Sequence, residues 1–340
     1  MINIIAEIGI NHDGDKKKAK KLIELSYESG VNAVKFQYRN LKNTYFKNVR
    51  EIGDEILSKE INRNYLSPNE IIELCKFAKS LDLDVGISFF NKNDIEDFAS
   101  DIDIFDFFKI PSVELSNKKL IDSLLLLDKH LYISLGAHDE QEIDKSLRRL
   151  PKTGWTPLHC VSNYPVTLTN PRLGYISYLK NKWNRKVGYS SHDDNWEVCL
   201  LAMQMGATVI ERHITLDRNA NGLDHSSSST HNHFKKLVDF ASAIPISLNG
   251  NSPRIINQGE LINRQNLGRS YYANSAYKKG DIPNLDELIY RSPNTGLDES
   301  DINKYIGKPL QNDLKKGEVL SKYHFHKTRT ISDHIIEKAN

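Results

Sequence analysis

The sequence predicts an α/β fold, a (β/α)8 TIM barrel followed by a small, mostly β domain. Three observations predict it. Short apolar strands alternate with helical patterns eight times before residue 247, and such alternation implies parallel βαβ units. No Gly-x-Gly-x-x-Gly follows the first strand, which disfavours a doubly wound dinucleotide-binding sheet. The chain has 340 residues, leaving about 90 beyond a barrel of roughly 250.

The elements follow in order. The strands are expected at Asn3–Ile10, Ala33–Gln37, Asp84–Phe90, Phe105–Ile110, Leu131–Leu135, Pro157–Ser162, Lys186–Ser190 and Thr208–Thr215, each a short apolar run. The helices are expected at Lys16–Ser29, Pro68–Leu81, Asp94–Ser100, Lys118–Asp128, Glu140–Arg149, Arg172–Asn181, Asn195–Met205 and His231–Ile246. Asp15 is placed to cap the first helix, and Ser67-Pro68 opens the second in N-cap then N1 order. Tyr38–Leu66 is polar and mixed, and reads as a long loop after the second strand, where barrel enzymes often carry substrate contacts. After residue 247 the pattern changes to short extended runs broken by turns, among them Ser270–Ala276 and Leu288–Arg291. The division is therefore 1–247 barrel, 248–269 linker, 270–330 small β domain and 331–340 polar tail.

Lys plus Arg is 46 against 44 for Asp plus Glu, a net +2, which argues against a general nucleic-acid binder. No window approaches the ~18 apolar residues of a membrane span, and the N-terminus lacks a basic region and a cleavage site. Cys75, Cys160 and Cys199 have no CxxC spacing, which favours free thiols and a cytoplasmic setting.

In a barrel of this kind chemistry sits at the C-terminal strand ends. Glu7, Lys35, Gln37, Lys109, Ser112, Glu114, Ser162, Tyr164, Ser190, His192, Glu211 and His213 all fall there. Lys35 and Lys109 lie in apolar strands, where an unpaired ammonium costs several kcal/mol. Either each meets a core carboxylate, or the pair forms a pocket for phosphate and carboxylate. His192 and His213 end adjacent strands; they are either two unrelated polar histidines or an open site for a divalent metal that polarises a carbonyl. Glu7 must meet a lysine, a metal or a substrate hydroxyl. Cys160 reads as a small core residue.

The segments AEIGINHDGD, GVNAVKFQ, FDFFKIPSVELSN, LHCVSNYP, VGYSSHD, GATVIERHITLDR and GLDHS resemble, in order, the sialic acid synthase family, the N-acetylneuraminate synthases. The stretch from GRSYYANSAYKKGD to KKGEVL resembles that family's C-terminal antifreeze-like (SAF) domain. The resemblance implies condensation of phosphoenolpyruvate with an acylated hexosamine, N-acetylmannosamine or a relative, to a nine-carbon acid plus phosphate. It implies that Lys35, Lys109, Ser112, Ser162, Tyr164 and Ser190 bind phosphoenolpyruvate, and that His192 and His213 hold Mn²⁺ or Mg²⁺. It implies that Gln37, Glu114, Asp224 and Arg291 contact the sugar, Arg291 from the partner of a domain-swapped homodimer. Glu7, Glu114 and Lys109 are the implied catalytic groups. Some positions depart from the family pattern: Val113 for glycine, Ser134-Leu135-Gly136-Ala137-His138 where Ser-Thr-Gly-Met is usual (altered over Leu135–His138), Ser191 for an acidic residue, Phe89 for threonine, and Arg291–Gly296 for Arg-Pro-Gly-x-Gly. These departures are expected to touch the pocket. Alternative readings are a legionaminic, pseudaminic or other 3-deoxy-sugar-acid synthase, and a non-catalytic sugar-binding homologue.

Overall fold

The computed structural model describes residues 2–40, 54–250 and 253–326. The stretch 41–53 of the expected loop, and the expected tail, lie outside the described residues. The chain divides into two compact units, Met1–Asn249 and Gly250–Asn340.

In the first unit β1 (Asn3–Gly9), β2 (Ala33–Tyr38), β3 (Asp84–Phe89), β4 (Phe107–Ile110), β5 (His130–Ser134), β6 (Trp155–Cys160), β7 (Val187–Ser191) and β8 (Ala207–His213) form a closed barrel. The pairs are parallel, and β8 returns to pair with β1. Helices alternate with them: α1 (Lys16–Glu28), α2 (Asp54–Arg63), α3 (Pro68–Lys79), α4 (Lys118–Leu125), α5 (Glu140–Leu147), α6 (Gly174–Trp183), α7 (Val198–Gln204) and α8 (His231–Ser247).

The period-two alternation of strands explains both faces of the barrel wall. Outward residues such as Ile4, Ala6, Val34, Phe36, Ile87, Phe108 and Ile133 join the main core with the apolar stripes of the helices. Inward residues Ile5, Ala33, Phe107, Tyr132, Leu158 and Val209 form a separate apolar layer inside the barrel. Gly86 belongs to that level because a Cβ there would overlap the Phe107 ring. Two residues further along the strands the interior turns polar, with Glu7, Lys35, Ser88, Lys109, Ser190 and Glu211. The polar layer therefore rests on a dry floor, each large apolar side chain of which contributes roughly 1.5–3 kcal/mol by burial.

Local signals place the helix starts. Asp15 accepts hydrogen bonds from the Lys17 and Lys18 amides, and Ser67 with Glu70 closes a capping box ahead of Pro68. Three expectations change. The helix expected at Asp94–Ser100 is a 3-10 helix, Lys92–Phe98, opened by Asn91. The loop expected at Tyr38–Leu66 contains α2. The stretch 248–269 expected as linker contains α9 (Gln258–Leu267), started by a capping box of Asn257 and Glu260.

In the second unit β9 (Ser270–Ala273) and β10 (Leu288–Arg291) pair antiparallel, and isolated bridges Tyr272–Val319 and Tyr277–Leu314 extend the arrangement. Tyr271, Ala273, Tyr277, Leu297, Ile302, Leu310, Leu314 and Leu320 form its core. No helix among the described residues is long and apolar enough to cross a membrane. Cys75, Cys160 and Cys199 are free and buried.

Candidate active site

The register of the barrel brings the polar layer together. Glu7 stands beside Lys35 on β2 and His213 on β8, Ser88 beside Lys109, and Ser190 beside Glu211. Lys35 has no solvent exposure; its Nζ donates to Ser88 Oγ at 2.8 Å and pairs with Glu7 Oε2, with Glu211 Oε2 at 3.9 Å. Lys109 Nζ pairs with Glu211 Oε1 at 2.9 Å, and Ser190 Oγ donates to the same oxygen at 2.9 Å. Gln37 Nε2 donates to Glu7 Oε1 at 2.8 Å.

Two ammonium groups and two carboxylates thus offset each other in the barrel interior, where either sign alone would be costly. Burial would raise Glu211, but Lys109 and Lys35 outweigh it and hold that carboxyl far below the usual range. Burial prevails at Glu7 and pushes it up despite Lys35. Burial disfavours the Lys109 cation, yet Glu211 and Glu7 raise it overall. Glu211 is therefore the fixed negative charge of the layer, and Glu7 the carboxyl that takes a proton more readily.

Above this layer opens a cavity of about 450 Å³. Of the expected site residues, Gln37, Lys109, Ser112, Ser162, Tyr164, His192, His213 and Asp224 line it. Glu7, Lys35 and Ser190 lie within the layer below. The two readings of the lysines divide between them: Lys35 is a paired core cation, whereas Lys109 is paired and also faces the cavity. The Ser112 and Ser162 hydroxyls converge on Gly136, where a Cβ would collide with both.

His192 and His213 face each other with ring centroids 5.5 Å apart, and the Tyr164 ring, tilted by 40°, has its centroid 4.2 Å from that of His192. Burial and then His192 push His213 well below 6.5. Burial disfavours the His192 cation, but Cys160, 3.6 Å away, raises it overall. His213 Nδ1 lies 3.3 Å from Asp224 Oδ2 and makes no hydrogen bond. Gly9, at φ +51, leaves open the point where Glu7 Oε1, Gln37 Nε2 and His213 Nδ1 meet; a Cβ there would stand 2.9, 3.1 and 3.2 Å from them. This open cradle beside an unpaired imidazole nitrogen fits a divalent cation. Among the described residues no three His, Cys, Asp or Glu side chains converge on one point, so Glu7 and His213 are the ligating groups that this cradle itself supplies.

One expected residue of the first unit is not among those lining the cavity. Glu114 ends the 3-10 turn Ser112–Glu114, which carries its carboxylate to Asn117 Nδ2 at 2.7 Å. Arg291 lies in the second unit on β10, with its guanidinium 5.3 Å from the Tyr272 ring centroid. Two of the sequence departures also miss the pocket. Phe89 points outward, into an aromatic cluster with Tyr38, Phe98, Phe105 and Phe108. Ser191 points outward and donates to Asp193 Oδ2, at 2.7 Å. That buried Asp193 also takes the Tyr189 hydroxyl, so a carboxylate does flank His192, on its C-terminal side. Arg212 donates to Ser191 Oγ, to the Asp193 carbonyl and to Ser229 Oγ, tying the ends of β7 and β8 together behind the two histidines.

Sequence reasoning assigned no role to three contributors, though it touched their positions. Glu211 stood at a strand end two residues before His213, and the period of two was its signal. Arg39, its guanidinium 3.5 Å from the Phe90 ring centroid, lines the cavity. Glu60, Ile61, Asn64, Tyr65 and Leu66, from the end of α2 onward, line another wall.

The NeuB family model matches residues 22–252. An N,N'-diacetyllegionaminic acid synthase of Campylobacter jejuni is 31% identical over 93% of this chain and 98% of its own length. An N-acetylneuraminate-9-phosphate synthase of Drosophila melanogaster is 28% identical over 93% of this chain and 94% of its own. A solved N-acetylneuraminic acid (sialic acid) synthetase of Leptospira borgpetersenii superposes with a TM-score of 0.68 at 26% identity, covering 77% of this chain and 91% of that one. The family-model match over residues 22–252, together with a relative 31% identical over nearly its whole length, places this closed-barrel chain in the NeuB family.

Proposed function

We propose that the protein condenses phosphoenolpyruvate with the open-chain form of an acylated amino sugar, giving a nine-carbon 2-keto-3-deoxy acid and inorganic phosphate. The observation that carries this reading is the Lys109–Glu211–Lys35–Glu7 layer set beneath the facing His192 and His213. The names of the relatives support the substrate classes, and the legionaminic acid synthases among them favour a diacylated acceptor.

Lys109 and the hydroxyls of Ser112 and Ser162 receive the anion of phosphoenolpyruvate, so that much of the rate gain is positioning and fixed electrostatics. C3 of phosphoenolpyruvate attacks the aldehyde carbon, forming the new C–C bond, and the aldehyde oxygen takes a proton. Water adds at C2 and gives up a proton; the tetrahedral species then loses phosphate with C–O cleavage, leaving the ketone. Glu7, raised by burial, is the carboxyl assigned to carry the proton between these oxygens. His192 and His213 would hold the metal, with Mn²⁺ favoured over Mg²⁺ because imidazole suits it better; bound there it polarises a carbonyl oxygen. Tyr164 joins the phosphoenolpyruvate site, Asp224 orients the acceptor, and Arg291 of a SAF-like second unit reaches its acyl group across a domain-swapped dimer. The outward facing of Phe89 and Ser191 favours a working site over a decayed one, because those departures leave the cavity lining untouched.

Incubation with phosphoenolpyruvate, Mn²⁺ and a panel of mono- and diacylated hexosamines should release phosphate with at least one sugar. No release with any of them would refute the reading.

A further inference from the structure

We propose that the cavity between α5 and α6 is a second ligand site, suited to a sugar acid, a polyhydroxylated monocarboxylate. This cavity has a volume of about 930 Å³ and shares Ser162 with the active cavity. The segment Leu135–His138, where the sequence departs from the family pattern, lines this cavity with all four residues and the active cavity with none. Two of the lining residues hold a left-handed backbone without being glycine, Ala137 at φ +61 and Arg172 at φ +49. Such conformations are costly for residues with a Cβ, persist only where the surroundings impose them, and gather at ligand clamps.

The polar groups of the wall divide into those already paired and those left for a ligand. Glu140 is paired with Lys182 and accepts from the hydroxyls of Tyr175 and Tyr178, at 2.5 and 3.2 Å. Asp139 caps α5, accepting the Glu142 amide. Arg172 is exposed, and among the described residues its guanidinium has no partner. Asn163, also exposed, makes no side-chain hydrogen bond among them either. His138 Nδ1 lies 2.9 Å from the Gly136 carbonyl, which can only accept, so Nδ1 carries the hydrogen and Nε2 is left as an acceptor. The Tyr175 and Tyr178 rings stack 5.5 Å apart and are held by their bonds to Glu140, giving a fixed aromatic face. A carboxylate suits the Arg172 fork, hydroxyls suit the Asn163 amide and His138 Nε2, and the C–H face of a sugar suits the tyrosines. On the proposed function, on which this last step rests, the nine-carbon product is such an acid, so the cavity holds the enzyme's own product beside the site that makes it.

The test is calorimetric titration of the full chain, free of metal and phosphoenolpyruvate, with N-acetylneuraminate and with neutral N-acetylmannosamine, for wild type, Arg172→Ala and Arg172→Gly. The acid should bind wild type, and both variants should weaken it about tenfold or more, the worth of a hydrogen bond to a charged group. Binding of the neutral sugar should be the same in all three proteins. Glycine suits the left-handed backbone at 172, so Arg172→Gly should match or exceed the wild-type thermal midpoint. Equal affinity for the acid in all three proteins puts the acid in the active cavity and overturns the proposal. So does an equal loss of the neutral sugar, which removes the role of the carboxylate, or a lowered midpoint in both variants, which makes Arg172 structural. No binding of the acid by wild type overturns the site but leaves the function to its own phosphate-release assay. Binding without phosphate release with any sugar refutes the function and leaves the site.

Discussion

At the residue scale, burial lowers His12 from 6.5 to about 4, with Asp13 opposing the shift only in part. As the pH falls below 6.5 the unfolded chain takes a proton that the folded chain refuses until about 4, so folding stability is lost through that window. The loss amounts to about 1.4 kcal/mol per pH unit from this one group. His12→Asn removes the titration and keeps an acceptor for the Gly14 amide, which His12 Nδ1 receives at 3.0 Å. Urea unfolding across the window should show wild type losing stability faster than the variant; parallel curves would refute the assignment. Single residues were legible where their chemistry opposed their surroundings. A lysine in an apolar strand called for either a core carboxylate or a bound anion, and Lys35 meets Glu7 while Lys109 meets Glu211. Glu114 is not among the residues lining the cavity, because a strand end indicates a position but not the direction of the turn that follows.

At the element scale, the strands and most helices were legible because their apolar periods are strong and their caps explicit. Ser67 shows what a cap contributes: α3 buries Ile71, Ile72, Leu74, Cys75 and Ala78, so a fault at its start is felt by the core. Ser67→Ala should cost about 1 kcal/mol, read as a fall of roughly 2–4 °C in the thermal midpoint of a unit this size. An unchanged midpoint would show that Pro68 and Glu70 suffice without the hydroxyl. The short 3-10 helix Lys92–Phe98 was read as α because seven residues cannot separate a period of 3.0 from one of 3.6. α2 escaped because it is embedded in a long polar stretch. α9 has no buried residue, so it lacks an apolar stripe, and only its Asn257 and Glu260 spacing announced it.

At the scale of the whole molecule, the closed barrel was legible from the count of alternating elements, and the second unit from the change of pattern after residue 247. The proposed swap of that unit between subunits has a distinctive consequence. Arg291→Ala and His213→Ala should each be impaired alone. Co-expressed, they should recover activity, up to about a quarter of wild type at equal mixing, because half the dimers are mixed and each of those holds one intact site. The complex should sediment at twice the 38.9 kDa chain mass. No recovery would mean that each site takes its arginine from its own chain, or from neither.

The dry floor and the charged layer of the barrel lie on the same strands, one step of two residues apart, or about 7 Å. That spacing separates two kinds of evolutionary pressure. A change at Ile5, Ala33, Phe107 or Val209 is felt as lost stability, whereas on the proposed function a change at Glu7, Lys35, Lys109 or Glu211 strikes the chemistry. On that proposal the loops and α2 above can drift toward new sugars without renegotiating either layer.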